Sequence, residues 1–113
     1  MYIFPIVTSF KNQSGSIPST VLMSAEPGMY RVHVYIRGSG VTSPLSTVQV
    51  TVSFTDDIGP QSMLVPDDYF FTFQKPVSGT AMFLAKGGAI AFSTAFSGTG
   101  GTYNINVALE RII

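Results

Sequence analysis

The chain has 113 residues and no cysteine, and its six basic and six acidic residues give a net charge of zero. This length suits one domain, the lack of cysteine excludes disulfides and thiolate sites, and the charge balance argues against nucleic-acid binding. Charged residues make up only 11% of the sequence, whereas an ordinary soluble domain has about 25%. A surface with so few charges favours association, so we expect an oligomer or a component of a larger assembly.

The N-terminal stretch is apolar but has the pattern of neither a signal peptide nor a membrane span. It lacks a basic flank and is interrupted by Pro5, and no apolar run in the chain approaches the ~20 residues of a membrane span, which predicts a soluble protein. Residues 1–18 are predicted to form an apolar arm and a polar linker (KNQSGS, residues 11–16), and residues 19–113 a single domain. An exposed apolar arm is expected to dock on its own domain, on a neighbouring subunit or on a partner. The residues predicted to dock are Tyr2, Ile3, Phe4, Ile6 and Val7.

Alternation of apolar and polar residues predicts β-strands from residue 29 onward. The alternating apolar sets are Tyr30, Val32, Val34 and Ile36; Val48, Val50, Val52 and Phe54; and Tyr103, Ile105, Val107 and Leu109. Turn-forming residues interrupt the chain at Glu26–Gly28, Gly38–Gly40, Asp56–Pro60, Pro66–Asp68, Pro76–Gly79, Lys86–Gly88 and Ser97–Gly101. These seven breaks predict about eight strands of an all-β antiparallel β-sandwich, with a jelly roll as the favoured arrangement.

Two segments depart from plain alternation. The segment Tyr69–Phe73 has aromatic residues on both faces, which predicts a strand covered on both sides. Between residues 89 and 96, bulky residues alternate with small ones, and a face of small residues allows another surface to approach closely. We expect Ala108, in the last strand, to continue this small-residue patch. The small residues predicted to contact another subunit are Ala89, Ala91, Ser93, Ala95, Asn104, Asn106 and Ala108.

Arg31, His33, Tyr35 and Arg37 form a row on the strand face opposite the core. The row fits an anion or acidic-glycan site, or a pH-sensitive subunit contact, because histidine titrates near neutrality. It also fits an ordinary polar face. The polar or interfacial interpretation is favoured over a ligand site, and these four residues are predicted as subunit-interface candidates.

The pairs Asp56–Asp57 and Asp67–Asp68 are candidates for calcium ligands or for the carboxylates of a glycosidase. Aspartate beside glycine or proline is ordinary turn chemistry, which is the favoured interpretation. The single histidine, His33, lies in mid-strand rather than on a loop at a cleft, where a catalytic base is expected. The sequence therefore predicts no enzymatic activity, no metal and no cofactor.

Three segments carry a resemblance to a known family: PGMYRVHVYIRG (residues 27–38), TVQVTVSFTDDIGPQS (residues 47–62) and KGGAIAFSTAFSGTGGTYNINVALERI (residues 86–112). They resemble small jelly-roll domains of bacteriophage virions, which have the complement/tumour-necrosis-factor-like architecture. The likeness spans residues 19–113, and its motifs are strand and turn patterns without catalytic residues.

The resemblance implies a homotrimer with a structural role, located in the virion after assembly in the host cytoplasm. One hypothesis is a capsid decoration (cement) protein that binds the major capsid protein, without contact to nucleic acid or membrane. It is favoured, if the sequence is complete, because no repetitive shaft precedes the domain. The alternative is a tail-fibre tip or lectin-like module that recognises host-surface glycans through the loops Gly38–Pro44, Asp56–Gln61 and Ser97–Gly101.

Overall fold

The computed structural model describes residues 5–38, 47–65, 76–97 and 101–113. These residues form eight strands and contain no helix that could span a membrane. The strands are β1 (Ile6–Gln13), β2 (Thr20–Ser24), β3 (Gly28–Gly38), β4 (Thr47–Thr55), β5 (Pro60–Leu64), β6 (Val77–Ala85), β7 (Gly87–Ser97) and β8 (Tyr103–Arg111).

The strands form two four-stranded antiparallel sheets with the orders β1-β8-β3-β6 and β2-β7-β4-β5. The first strand pairs with the last, the second with the seventh, the third with the sixth and the fourth with the fifth. This is the pairing of one long hairpin rolled into a sandwich, which defines a jelly roll. The all-β, eight-stranded jelly roll predicted from the sequence is therefore confirmed.

The core lies between the sheets and is built mainly from the residues that alternation predicted. All twelve members of the three apolar sets are buried. Phe83 and Ala85 of β6, which no alternation pattern identified, also lie in the core, and the Phe83 ring stacks 4.3 Å from that of Phe54 in the facing sheet. The other buried members of the core are Ile17, Leu22, Val65, Ile90 and Phe92. Burial of one large apolar side chain contributes about 1.5–3 kcal/mol, so these inward rows supply most of the folding free energy.

β1 lies at the edge of its sheet and pairs antiparallel with β8, from Ile6 beside Leu109 to Gln13 beside Tyr103. Of the three alternatives for the N-terminal segment, the structure thus places Ile6–Gln13 on the domain itself. Residues 11–13, predicted as part of a polar linker, instead extend this strand past a register shift where Asn12 has a φ of 53°. The sheet therefore includes residues on both sides of the predicted boundary at residue 18.

A chain of hydrogen bonds fastens the segment after β1 to the core. The Ile17 N–H donates to Thr94 Oγ1 over 2.8 Å, and the Tyr103 hydroxyl donates to the Gly15 carbonyl over 2.7 Å. Because the Tyr103 proton is used there, Thr94 donates its own hydroxyl proton to Tyr103 Oη over 2.7 Å. Burial raises the pKa of Tyr103, so its hydroxyl remains protonated and can donate to the Gly15 carbonyl.

One predicted turn is wrong. β6 begins at Val77, and Gly79 pairs with Val34 inside the sheet, so the residues assigned to a turn at Pro76–Gly79 are strand. Proline and glycine suggested the turn, but proline directly before a strand and glycine within one are both compatible with pairing. The predicted turn at Pro66–Asp68 and the aromatic strand at Tyr69–Phe73 lie outside the described residues.

Candidate functional site

The predicted row on β3 points outward from the sandwich. Its neighbours on the same face follow from the register: His33 lies between Ala108 and Thr80, and Tyr35 lies between Asn106 and Ser78. Directly paired residues share a face of a sheet, so the outer surface of β1-β8-β3-β6 can be assigned residue by residue. We call it the histidine face; it consists of Val7, Ser9, Arg31, His33, Tyr35, Arg37, Ser78, Thr80, Met82, Asn104, Asn106, Ala108 and Glu110.

A network of charged and polar groups crosses three strands of this face. Arg31 Nε donates to Glu110 Oε1 over 2.6 Å, and His33 Nε2 lies 3.3 Å from the same oxygen. On its other side His33 Nδ1 lies 3.2 Å from Thr80 Oγ1. The hydrogen bond from Arg31, followed by that from His33, holds the pKa of Glu110 below its usual range. Arg31 is thus already paired with a carboxylate, which weakens the interpretation of the row as an anion site.

A shallow hollow of about 260 Å³ opens on the histidine face beside this network. It exists because small residues surround the larger side chains of His33 and Tyr35. The small residues in its lining are Ser78, Gly79, Thr80 and Ala108. The hydroxyl groups of Ser78 and Thr80 and the amide of Asn106 are among the polar groups that line it.

The hydroxyl of Thr80, the imidazole of His33 and the carboxylate of Glu110 stand in the order of a catalytic triad. A triad also requires preorganised donors for an oxyanion and a site from which water is excluded. Here His33 lies 45% exposed on an open sheet face, and Glu110 is shared with Arg31. Within the described ranges no helix N-terminus supplies donors beside Thr80. The three groups therefore act as a polar ladder across the strands.

The opposite surface of the sandwich, on β2-β7-β4-β5, is uncharged over all its described residues. Val21, Ala91 and Ser53 form one row across it, and Ser93 lies beside Thr51. We call this the uncharged face; it consists of Val21, Ser24, Thr47, Gln49, Thr51, Ser53, Ser62, Leu64, Ala89, Ala91, Ser93, Ala95 and Ser97. Most of these side chains are short, so the face is flat, and Val21 is 62% exposed on it.

The structure separates interface candidates that the sequence grouped together. Ala89, Ala91, Ser93 and Ala95 lie on the uncharged face, with Ala91 itself buried. Asn104, Asn106 and Ala108 lie on the histidine face with the β3 row. The expectation that Ala108 continues the small-residue patch of β7 is therefore wrong, because β7 and β8 belong to different sheets.

The first aspartate pair forms a turn, as favoured from the sequence. Asp56 Oδ1 accepts hydrogen bonds from the N–H groups of Ile58 (2.9 Å) and Gly59 (3.1 Å). The hydrogen bond from Ile58 is the largest cause of a lowered pKa at Asp56. In the described ranges no cluster of three metal-ligating side chains occurs. Asp67 and Asp68 lie outside those ranges.

The other predicted sites are described only in part. Among the arm residues, Ile6 is half-buried and Val7 is 64% exposed on the histidine face, while Tyr2, Ile3 and Phe4 lie outside the described residues. Of the three candidate glycan loops, Asp56–Gln61 is described completely and contains no aromatic residue. The interiors of the other two loops lie outside the described ranges.

Sequence reasoning missed Thr80, Met82 and Glu110 as members of the histidine face. Alternation within β8 placed Glu110 outward, but only the register shows that it lies beside Arg31. For β6, the turn residues at its start concealed the period-two pattern that runs from Ser78 through Met82. Cross-strand neighbours depend on register, which one strand's sequence does not determine.

Comparison with known proteins shows a likeness of fold alone. No protein-family model and no curated protein sequence matches the chain. Among solved structures, the VP2 subviral particle of infectious bursal disease virus matches 96% of the chain with a TM-score of 0.57 at 11% identity. The chain spans only 33% of that VP2 chain.

Two further structures have the same fold. The CBM22-1 xylan-binding domain of Paenibacillus barcinonensis Xyn10C matches 94% of this chain and 70% of its own, with a TM-score of 0.56 at 15% identity. A chain of the acid-stable capsid of Helicobacter pylori bacteriophage KHP30 matches 99% of this chain and 90% of its own, with a TM-score of 0.51 at 13% identity. The protein thus has the jelly-roll fold that occurs in viral and phage capsids and also in a carbohydrate-binding domain.

Proposed function

We propose that this protein is a non-enzymatic structural component of a bacteriophage virion, a homotrimer that decorates the capsid and reinforces contacts of the major capsid protein. In this account it reaches the particle during assembly in the host cytoplasm. The observation that carries the proposal is the uncharged face, a complete outer sheet surface on which no described residue is charged.

An outer sheet face in contact with water normally carries charged or long polar side chains. Here the described charged residues lie elsewhere, on the histidine face, at Lys11 in β1, at turns and near the C-terminus. Depletion of charge is the compositional mark of the centre of a protein interface. The short side chains of Ala89, Ser93 and Ala95 allow a second surface to approach closely, so we assign this face to contacts between copies of the chain.

The histidine face is assigned to the capsid shell. It presents the exposed side chains of Val7, Tyr35 and Met82, together with the network of Arg31, His33 and Glu110. Aromatic residues, methionine and arginine are enriched at protein–protein interfaces. The KHP30 match supports a place in a capsid, because the alignment with this chain covers 90% of the matched capsid chain.

Mass measurement in solution tests the trimer. Wild-type protein is expected to be a trimer at micromolar concentration, and Ser93→Glu is expected to be a monomer because it buries a carboxylate without a partner. Ser14→Glu adds the same charge at an exposed position off both faces and should remain trimeric. A stable wild-type monomer would overturn the trimer.

Co-sedimentation with capsids that lack the protein tests shell binding. Wild type is expected to sediment with the shells, and Val7→Glu is expected to lose binding while remaining folded, because Val7 is largely exposed. Equal binding by wild type and Val7→Glu would contradict a contact between the capsid shell and the part of the histidine face around Val7.

The likeness to a xylan-binding domain favours one alternative, a fibre-tip or lectin-like module that binds host-surface glycans. Sugar sites usually present an aromatic ring, and the described loop Asp56–Gln61 has none, so this function ranks second. A glycan array with the isolated protein separates the two: strong hits on a defined glycan would replace the decoration role, and no hits would retain it.

A further inference from the structure

Each sheet has two edge strands, and an edge strand offers unpaired backbone groups to another chain. Among the strands that the structure describes, the edges are β1 and β6 in one sheet and β2 and β5 in the other. Proteins protect such edges with short strands, proline, charged side chains or β-bulges. The four edges of this domain differ in how many of these devices they carry.

Three of the four edges are protected. β1 carries Lys11 and a register shift between Phe10 and Gln13. β2 has five residues and a register shift between Val21 and Met23. β5 also has five residues and begins with Pro60.

β6 carries none of these devices. Its nine residues, VSGTAMFLA, include no charged residue and no proline. It pairs with β3 over nine consecutive residues without a register shift, so the strand is regular along its whole length. At its middle Met82 is 52% exposed. A long, regular, uncharged edge is the kind of strand that accepts another strand.

We propose that β6 pairs with β6 of a second copy, antiparallel, about a two-fold axis at Ala81. The two four-stranded sheets then join into one continuous sheet. A contact about a two-fold axis must be self-complementary, because each residue meets its symmetry partner in both directions. The sequence of β6 satisfies this condition in size and in charge.

The size pattern is complementary because β6 is small in its first half and bulky in its second. Centring the pair on Ala81 uses all nine residues and sets each bulky side chain opposite a small one. Gly79 faces Phe83 of the second copy, whose ring stays packed on Phe54 in its own core, so the glycine adds no side chain that would crowd it. The remaining pairs are Val77 with Ala85, Ser78 with Leu84, Thr80 with Met82, and Ala81 with itself.

Neighbouring registers lack this match. A shift that centres the pair on Thr80 sets Val77 against Phe83, and a shift that centres it on Met82 sets two methionines against each other. Because the strand is uncharged, self-pairing brings no like charges together. The pairing also covers the exposed Met82.

This contact goes beyond the proposed function and does not depend on it. It uses the edge of one sheet, whereas the trimer contact is assigned to the outer face of the other. Copies joined both ways would form an array around the shell. A test of the edge must therefore report on β6 alone, whatever the oligomeric state.

Cysteine cross-linking provides that test, since the natural chain contains no cysteine. In Ala81→Cys the two introduced residues lie directly opposite, with Cα atoms about 4.5–5.5 Å apart, within the range that a disulfide bridges. We expect mild oxidation to give a disulfide-linked dimer on a denaturing gel. In Ser78→Cys, the matched control, the two cysteines are six residues apart along the pair, roughly 20 Å, and we expect no dimer.

Adding Met82→Lys to Ala81→Cys is expected to abolish the cross-link, because two lysines then meet diagonally across the axis. Ser62→Lys, on the edge strand β5, should leave the cross-link intact. The proposal is overturned if folded Ala81→Cys stays monomeric on the gel, if Ser78→Cys cross-links equally well, or if Met82→Lys has no effect. Far-UV circular dichroism establishes that each variant is folded.

Discussion

Replacing Thr94 with valine tests the hydrogen-bond chain that ties residues 15–17 to the core. The substitution preserves the shape of the side chain but removes its hydroxyl, the acceptor for the Ile17 N–H and the donor to Tyr103 Oη. Ile17 is only 3% exposed, so water cannot replace the lost acceptor. Tyr103 keeps its bond to the Gly15 carbonyl.

The expected loss follows from these two bonds. A buried N–H left without a partner costs about 1–3 kcal/mol, and the lost Thr94–Tyr103 bond about 0.5–1.5 kcal/mol more. We therefore expect Thr94→Val to lower the free energy of unfolding by roughly 2–4 kcal/mol, which corresponds to a fall in Tm of roughly 10–20 °C. Thr51→Val is the matched control on the uncharged face and should change stability by less than about 0.5 kcal/mol.

Urea unfolding followed by circular dichroism measures both variants, because the chain has no tryptophan for fluorescence. A double-mutant cycle with Tyr103→Phe then measures the coupling between Thr94 and Tyr103. We expect the double variant to be less destabilised than the sum of the single variants, because both remove the Thr94–Tyr103 bond. The hydrogen-bond chain would be refuted if Thr94→Val were as stable as wild type, or if the losses of stability in the two single variants were strictly additive.

Three further predictions concern stability. Glu110→Gln should lower Tm most at neutral pH and little at acid pH. Because the pKa of Glu110 is lowered in the folded state, its contacts stabilise the fold above the unfolded-state pKa and are lost as pH falls through the folded-state pKa. An equal loss of Tm at all pH values would contradict this. Gly28→Ala should lower the free energy of unfolding by about 1–3 kcal/mol, because a Cβ there would collide with the Ile113 carbonyl and lie 2.7 Å from Arg111 Nε. Gly87→Ala is the control in urea unfolding, because a Cβ at Gly87 would have no atom within 4 Å. Asp56→Ala should lower Tm by freeing the N–H groups of Ile58 and Gly59, with the deficit shrinking in acid, and an unchanged Tm would argue against the turn.

The fold was predictable because alternation and burial coincide in this chain. The apolar sets of β3, β4 and β8 alternate without interruption, so period two alone identified their inward faces. Turn residues marked the ends of several strands, but the eight described strands include β1, which lies in the segment predicted as an arm and linker. β6 was harder, because Pro76, Ser78 and Gly79 have turn propensity, and pairing with β3 overrides that propensity.

The sequence predicts which residues of a single strand point outward, but it does not predict which strands combine into one surface. Alternation placed His33 outward, yet its contacts with Thr80 and Glu110 join positions 47 and 77 residues away in sequence. In the same way, Ala95 and Ala108 are both small outward residues but lie on different sheets. Which strands share a sheet is a property of the topology, and a pattern within one strand carries no information about it.

The most direct test of the decoration role is the copy number of the protein in purified virions, measured by quantitative mass spectrometry against the major capsid protein. A protein that decorates the shell is expected in numbers comparable to those of the shell subunit, and it should stay with the head when tails are removed. Absence from purified particles, or only a few copies that separate with the tails, would contradict the account.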